Sequence, residues 1–209
     1  MRLLALDADT KHIGYAHFLG DKLMRYGTYD IKAKWDDLLV EVAYFLIDEV
    51  GWGSGVEAVA CEMPVYCKNA KTTIQLAQLV GLIRFVTLDH WHQFVEVAPT
   101  ERLTACGIPI LTRSKAAKEA VMRTVAAIYG IEPGTTHAAD AIAVGMAALN
   151  KLKLRDLSTQ GTHPEDVSTK TQKVDTLPCG HPASAIASSA DGSHWCRECE
   201  RGHEKESQS

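Results

Sequence analysis

The first part of the chain alternates between short apolar runs and turn residues, a pattern typical of β-strands. The first run ends at Asp7, and Gly20 with Asp21 marks a turn between the second and third runs, which predicts a three-stranded meander. A fourth run leads into Glu62, and a fifth is stopped before Pro99. The predicted strands are residues 3–6, 13–19, 22–31, 56–61 and 94–97.

Apolar residues at helical spacing fill the stretches between and after these runs. Asn69 is a candidate N-cap, Thr112 or Ser114 can cap a later helix, and Gly107 and Gly130 each follow the last turn of one. The predicted helices are residues 35–50, 69–90, 100–106, 112 or 114 to 129, and 137 to about 152. Strands and helices in this order predict an α/β domain with a mixed sheet flanked by helices.

Composition adds a domain division to this pattern. Of 209 residues, 46% are hydrophobic and 23% are charged, as in ordinary globular proteins. No apolar run is long enough to span a bilayer, and the N-terminus does not resemble a secretory signal, so we expect a cytoplasmic protein without membrane contact. We assign residues 1–155 to the α/β domain, the polar residues 156–178 to a linker, and residues 179–209 to a small cysteine-containing module.

The formal net charge of −4 argues at first against a nucleic-acid partner. However, residues 1–155 hold 17 basic and 17 acidic side chains, whereas residues 156–209 hold 5 and 9. The whole acidic excess therefore belongs to the C-terminal quarter, and the net charge does not exclude DNA as a ligand of the α/β domain.

Four side chains point to metal chemistry. Asp7 and Glu62 follow buried strands, where a carboxylate without a partner is costly. His137 and Asp140 are three residues apart at the start of the last helix, so they share one helical face. If this helix end meets the ends of the two strands, the four side chains can hold two Mg²⁺ ions, which would clamp the attacking and leaving oxygens of a phosphoryl transfer.

Four segments in order resemble the RuvC-like Holliday junction resolvases. They are LLALDADTKHIGYA at 3–16, CEMPVYCKNAKTTIQLAQLVGLIRF at 61–85, VEVAPTERLTACGIPILTRSKAAKEAV at 95–121 and HAADAIAVGMAAL at 137–149. The resemblance covers roughly residues 1–150. It implies a ribonuclease H-like fold, a homodimer, and cleavage of four-way DNA junctions with two Mg²⁺ or Mn²⁺ ions per active site, leaving 5′-phosphate and 3′-hydroxyl ends.

The same resemblance implies that Asp7, Glu62, His137 and Asp140 are the catalytic metal ligands, with Asp7 bridging the ions. His137 stands where some members carry Asp and others His, so one ligand is neutral and sensitive to pH. The family usually has Pro-Gly after the first Asp, and this chain has Ala8 and Asp9. An aromatic residue often follows the catalytic Glu by three positions. Here Val65 holds that place and Tyr66 is next to it.

Basic residues indicate where DNA would bind. Residues 101–123 carry five basic and two acidic side chains, and lysines at a helix N-terminus suit a phosphate. A second group follows Glu62, and such contacts would weaken sharply with salt. The predicted DNA-binding residues are Tyr66, Lys68, Asn69, Lys71, Arg113, Lys115 and Lys118.

The C-terminal module contains the spacing of a structural zinc site. Cys179 and His181 form one pair and Cys196 and Cys199 a second, and His194 or His203 can replace His181 as the fourth ligand. About 25 residues cannot build a sufficient hydrophobic core, so a bound ion is expected to hold this zinc ribbon or knuckle together.

Two other functions compete with a junction nuclease. The chain can be a non-catalytic nucleic-acid binder whose acidic site is vestigial and whose zinc module reads the ligand. It can also be a phosphotransferase of the actin-like class, because the segment from Asp7 to Thr10, with Gly14, echoes a phosphate loop. Against the phosphotransferase, the second glycine-rich loop is missing and 155 residues cannot form two lobes. The sequence leaves a bacterial or viral source open.

Overall fold

The computed structural model describes residues 1–51, 54–64, 69–90, 92–111 and 114–160, together with two short strands at 186–188 and 194–196. Contacts divide the chain into two units, residues 1–161 and 162–209. The strands of the first unit are β1 (Arg2–Ala8), β2 (His12–Leu19), β3 (Lys22–Asp30), β4 (Ala58–Glu62) and β5 (Gln93–Val97). Its helices are α1 (Trp35–Val50), α2 (Ala70–Asp89), α3 (Pro99–Ala105), α4 (Ser114–Tyr129) and α5 (Thr136–Gln160).

The five strands form one mixed sheet in the order β3-β2-β1-β4-β5. The meander β1-β2-β3 is antiparallel, while β4 lies parallel to β1 and β5 lies parallel to β4. Each parallel neighbour is reached through a helix, as the geometry of a parallel pair requires. The predicted mixed five-stranded sheet with flanking helices is confirmed.

Alternating side chains of the sheet feed two hydrophobic cores. In β1, Leu3 and Ala5 face the core formed with α4 and α5, while Leu4 and Leu6 face the core formed with α1 and α2. In β4, Ala58 and Ala60 share the first face. Successive residues of a strand therefore pack alternately against the two helical layers.

Local signals place most helix ends where the sequence predicts them. The Asn69 side chain accepts a hydrogen bond from the Lys71 backbone N–H at 3.0 Å, which confirms the predicted N-cap of α2. Gly107 and Gly130 have φ angles of 66° and 64°, which L-residues rarely adopt, and they end α3 and α4. Helix α5 runs further than predicted, because residues 156–160, assigned to the linker, continue it.

The second unit contains a hairpin that the sequence did not reveal. Strands β6 (Ile186–Ser188) and β7 (His194–Cys196) pair antiparallel, with Ile186 opposite Cys196. The remaining predicted zinc ligands, Cys179, His181, Cys199 and the alternative His203, lie outside the described residues. Among the helices that the structure describes, none is both long and apolar enough to cross a membrane.

Candidate active site

The alternation of side chains along β1 and β4 places the first two predicted carboxylates on the same face of the sheet. Asp7 follows Leu3 and Ala5 in the alternation of β1, and Glu62 follows Ala58 and Ala60 in that of β4. The two strands are parallel, and Leu6 pairs with Cys61 one position before the two acids. Both carboxylates therefore lie at the carboxyl ends of adjacent strands, on the face that α5 covers.

The N-terminus of α5 lies directly against the carboxyl ends of β1 and β4, because the neighbouring strand β2 has a glycine, Gly14, at this point. A Cβ on Gly14 would lie 2.0 Å from the carbonyl oxygen of His137, so only glycine allows the approach. Asp7 pairs with Gly14 across β1 and β2. The first turn of α5 consequently delivers His137 and Asp140 to the strand ends.

His137 and Asp7 contact each other directly. The His137 Nδ1 lies 2.9 Å from Asp7 Oδ2 and donates to it, and the two side chains are 23% and 17% exposed. This hydrogen bond raises the pKa of His137, with burial opposing it and the charge of Asp9 adding to it. Asp9 is otherwise engaged in its own turn, where Oδ1 accepts from the Thr10 backbone N–H at 2.6 Å.

Arg102 joins the other two carboxylates. Its Nη1 lies 2.5 Å from Asp140 Oδ1, and its Nε lies 3.2 Å from Glu62 Oε2. Its side chain is only 14% exposed. Burial works against the charged guanidinium, but the attraction of Asp140 and Glu62 outweighs it and raises the pKa of Arg102. In the sequence Arg102 belongs to the basic stretch 101–123 and is not among the predicted DNA contacts, and the structure places it among the acids.

The carboxylates remain difficult to ionise despite this arginine. Burial raises the pKa of Glu62 to about 7, with Arg102 opposing the shift and Asp7 and Asp140 adding to it. The pKa of Asp140 is raised for the same reason, burial, which Arg102 again opposes in part. The site thus carries more negative charge than its neighbours neutralise, which is a frequent property of functional sites.

One buried oxygen of this site has no hydrogen-bond partner among the residues that the structure describes. Glu62 Oε2 and Arg102 Nε are both buried, and neither is hydrogen-bonded within the described part of the chain, although they lie within ion-pair distance. We attribute this to misalignment, because a contact can be close enough for attraction without the angle a hydrogen bond needs. A buried carboxylate oxygen left in this way is a fitting ligand for a hard cation.

The four side chains do not form a ready-made metal cage. No group of three or more His, Cys, Asp or Glu side chains in the described ranges is arranged to hold an ion. The contacts explain this, because the carboxylate of Asp7 is paired with His137 and those of Glu62 and Asp140 are paired with Arg102. The donor set nevertheless fits Mg²⁺ or Mn²⁺, which prefer carboxylate oxygens.

The basic residues divide into those near the site and those outside the described part. The positive charge of Lys118 lowers the pKa of Glu62, Asp140 and His137, so Lys118 lies close to the acids. Lys115, Asn69 and Lys71 are exposed at the starts of α4 and α2. The predicted contacts Tyr66, Lys68 and Arg113 fall outside the described residues.

Beside His137 lies a polar pocket of about 400 Å³ that the sequence did not predict. His12 lines it, with its ring centroid 5.3 Å from that of His137, and its Nδ1 donates to Asp30 Oδ1 at 2.9 Å. Thr28 and Thr135 hydrogen-bond across it at 2.6 Å. The pairing of β2 with β3 and the start of α5 bring these residues together, and no local motif marks them.

The fold is that of a known class of proteins, the Holliday junction resolvases. The chain is similar to the Thermus thermophilus RuvC in complex with Holliday junction substrate, with a TM-score of 0.62 and 17% identity over 74% of this chain and 96% of that one. It is also similar to the Fowlpox virus resolvase in complex with Holliday junction DNA, with a TM-score of 0.52 and 14% identity over 73% and 99%. These likenesses establish a ribonuclease H-like resolvase fold.

Sequence comparison identifies the family within this class. The family model "Crossover junction endodeoxyribonuclease RuvC" matches residues 19–148. The proteins of that name from Wolinella succinogenes and Campylobacter concisus are each 29% identical to this chain, over 168 and 161 residues. These alignments cover 76% and 74% of this chain and 100% and 99% of the relatives. The chain belongs to the RuvC family.

Proposed function

We propose that this protein is a metal-dependent endodeoxyribonuclease that resolves four-way DNA junctions. The observation that supports the proposal is that Asp7, Glu62, His137 and Asp140 converge at the carboxyl ends of β1 and β4, in a chain of the RuvC family. Water would attack the phosphorus and the 3′ oxygen would leave, so that cleavage gives a 5′-phosphate and a 3′-hydroxyl. Branched DNA, chiefly the four-way junction, is the substrate class.

Asp7, Glu62, His137 and Asp140 are the residues that would hold two Mg²⁺ or Mn²⁺ ions. Bound there, the ions supply a nucleophilic water and neutralise charge on the scissile phosphate. In this assignment Asp7 would be a ligand shared by the two ions, and its hydrogen bond would fix the ring of His137. The side chain of Lys118 lies near enough to the acids to attract the phosphate backbone.

DNA binding by this chain would involve the starts of α2 and α4. Asn69, Lys71 and Lys115 are exposed there, and helix N-termini favour phosphate. Tyr66, Lys68 and Arg113 complete the proposed contact set. Phosphate contacts of this kind position the duplex and do not read its sequence.

Family membership and the ionisation of the site favour a nuclease over the two alternatives. A binder with a vestigial site has no reason to keep three carboxylates where burial raises the pKa of two of them. A phosphotransferase of the actin-like class is disfavoured because the RuvC match over residues 19–148 includes β3, β4 and β5 and three of the four site residues, Glu62, His137 and Asp140.

We further propose that two copies act together. Resolution of a junction needs one cut on each of two strands, which a twofold dimer supplies. The outer faces of α1 and α2 expose large apolar side chains, with Tyr44 at 68% and Phe85 at 66%. Leu39, Ile47 and Leu82 border an apolar groove of about 410 Å³ between these helices. Sedimentation of the wild type should give a dimer, and Phe85→Glu should shift it toward the monomer.

For the C-terminal unit we propose a structural Zn²⁺ held by Cys179, Cys196, Cys199 and one of His181, His194 and His203. The β6–β7 hairpin is consistent with a small ribbon, because β7 ends at Cys196, the start of the second pair. One zinc per chain in purified protein, measured by elemental analysis, would support the assignment. Absence of zinc after purification without chelators would refute it.

The decisive test is strand cleavage of synthetic DNA. The full chain, with Mg²⁺ or Mn²⁺, should nick a four-way junction at paired positions, while linear, flap and fork substrates are cut more slowly. The wild type in EDTA is the matched control. Binding without cleavage would favour the non-catalytic binder, and nucleotide turnover without DNA would favour the phosphotransferase.

A further inference from the structure

The buried arginine of the active site occupies the place where a cation would be expected. Arg102 lies between Glu62 and Asp140 and contacts both, and the three side chains are 14%, 15% and 7% exposed. Two buried carboxylates that share one guanidinium form a compact charge cluster. Removing that cation would leave two uncompensated buried charges.

The two halves of this cluster differ in quality. The contact between Arg102 Nη1 and Asp140 Oδ1 is a short charge-assisted hydrogen bond. The contact to Glu62 brings Nε within 3.2 Å of Oε2 without forming a hydrogen bond, and both atoms are buried. Glu62 is therefore attracted to Arg102 but not satisfied by it, which makes this half of the bridge easy to exchange.

We propose that Arg102 is an internal counter-ion that competes with the divalent ions for Glu62 and Asp140. Without metal it offsets one of the two negative charges and keeps the end of β4 and α5 together. When an ion binds, the ion takes over Glu62 and Asp140, and the guanidinium leaves them. This inference rests on the proposed metal site, and it adds that an arginine of this chain sets how tightly that site binds metal.

A purely structural arginine makes a different prediction. If Arg102 were a permanent bridge that metal leaves in place, its guanidinium would keep the same environment with and without ions. Competition is reciprocal, because a ligand that displaces Arg102 must bind more tightly when Arg102 is absent. The two cases therefore differ in metal affinity and in the state of the arginine itself.

The first experiment measures Mg²⁺ and Mn²⁺ binding calorimetrically at pH 8 with the full chain. Variants are Arg102→Gln, which removes the charge, and Arg102→Lys, which keeps a charge that cannot bridge two carboxylates. The matched control is Arg84→Gln, which removes an exposed arginine paired with Glu96 at 2.6 Å. We expect Arg102→Gln to bind about tenfold more tightly than wild type or better, Arg102→Lys to be intermediate, and Arg84→Gln to match wild type.

The same variants give a stability readout that does not depend on cleavage. Without metal, Arg102→Gln should melt at a lower temperature than wild type, and saturating Mg²⁺ should raise its melting temperature more than that of wild type. Metal-dependent refolding of an otherwise unfolded Arg102→Gln would support the inference equally. Equal affinity and equal metal response in wild type and Arg102→Gln would overturn it.

A third measurement uses the wild type alone. The Arg102 Nε–Hε nuclear magnetic resonance signal, identified by its loss in Arg102→Lys, should shift or broaden when Mg²⁺ is added. A signal unchanged at saturating Mg²⁺ would show a permanent bridge and overturn the inference. An absence of Mg²⁺ and Mn²⁺ binding by wild type would overturn it as well. Junction nicking then decides separately whether the nuclease function also fails.

Discussion

Two clusters in the first unit each combine a histidine, an arginine and at least one carboxylate. The pKa of a glutamate is lowered in one cluster and raised in the other. In one, Glu49 accepts from His17 Nε2 at 2.8 Å and from Arg25 Nη2 at 3.0 Å, and the hydrogen bond from His17 lowers the pKa of Glu49. In the other, burial raises the pKa of Glu62 to about 7 although Arg102 is adjacent.

The difference lies in the ratio of anions to cationic partners. Glu49 has two partners to itself, so its charge is matched and it ties β2, β3 and α1 together. At the candidate active site three carboxylates share one arginine and one histidine, and a buried oxygen of Glu62 has no hydrogen bond among the described residues. A cluster that is matched stabilises the fold, whereas one with surplus negative charge is prepared to receive a cation.

The largest expected contrast is in catalysis. Asp7→Asn should lower the rate of junction cleavage by about 1,000-fold or more, because it removes a ligand charge from ions that contribute several kcal/mol to the transition state. Junction binding should remain largely intact. Glu49→Gln is the matched control and should cleave at the wild-type rate per folded molecule. Full activity of Asp7→Asn in single-turnover assays would remove Asp7 from the catalytic set.

A contrast in stability should follow from the same type of substitution at the two clusters. In metal-free buffer at pH 8, Glu49→Gln should lower the free energy of unfolding by about 2 kcal/mol, because it disrupts the hydrogen bonds that a largely buried carboxylate accepts from His17 and Arg25. Glu62→Gln should raise it by about 2 kcal/mol, because the neutral amide replaces a carboxylate that burial disfavours. Urea titrations measure both. Two changes of the same sign would mean that the clusters do not differ as proposed.

The two carboxylates should also respond to pH in separate windows. The folded pKa of Glu62, about 7, exceeds its ordinary value of 4.5, so the folded state binds the proton more tightly and stability falls as pH rises between these values. Glu49 has a lowered pKa, so its contribution is present above 4.5 and is lost as pH falls through the folded value.

Between pH 6 and pH 8 the Glu62 contribution should decline by about 1 kcal/mol in metal-free wild type. The raised pKa values of Asp140 and His137 act in the same direction, so the Glu62 share is the difference between wild type and Glu62→Gln. Parallel pH profiles for these two proteins would contradict the assignment. Glu49→Gln should leave this window unchanged and flatten the profile only below pH 4.5.

The fold and four residues of the candidate site could be predicted from the sequence because they are marked by local patterns. Apolar runs, the Asn69 cap and Gly107 mark element ends, and the period of two along β1 and β4 carries Asp7 and Glu62 to one face. A family resemblance supplied the roles of these residues, which spacing alone leaves open.

Arg102 and the Glu49 cluster were missed for a physical reason. Arg102 lies in a short helix within a basic stretch, and only the packing of α3 against α5 turns it inward toward the acids. His17, Arg25 and Glu49 come from three elements, and only the register of β2 with β3 and the docking of α1 bring them together. Contacts between elements depend on tertiary packing, which no local pattern encodes.

The smallest expected contrast concerns Lys118, whose positive charge acts to lower the pKa of Glu62 and of Asp140. If Lys118 contacts a phosphate beside the active site, Lys118→Ala should weaken junction binding severalfold and reduce the slope of log affinity against log salt by about 1. The control is Lys153→Ala, which removes a lysine paired with Asp21 in the β2–β3 turn, at the opposite end of the strands. This variant should keep the wild-type salt dependence, measured by fluorescence anisotropy with Ca²⁺ in place of Mg²⁺. Equal slopes for both variants would mean that the DNA backbone does not approach the acids through α4, and the surplus negative charge would then have to be neutralised by the ions and Arg102 alone.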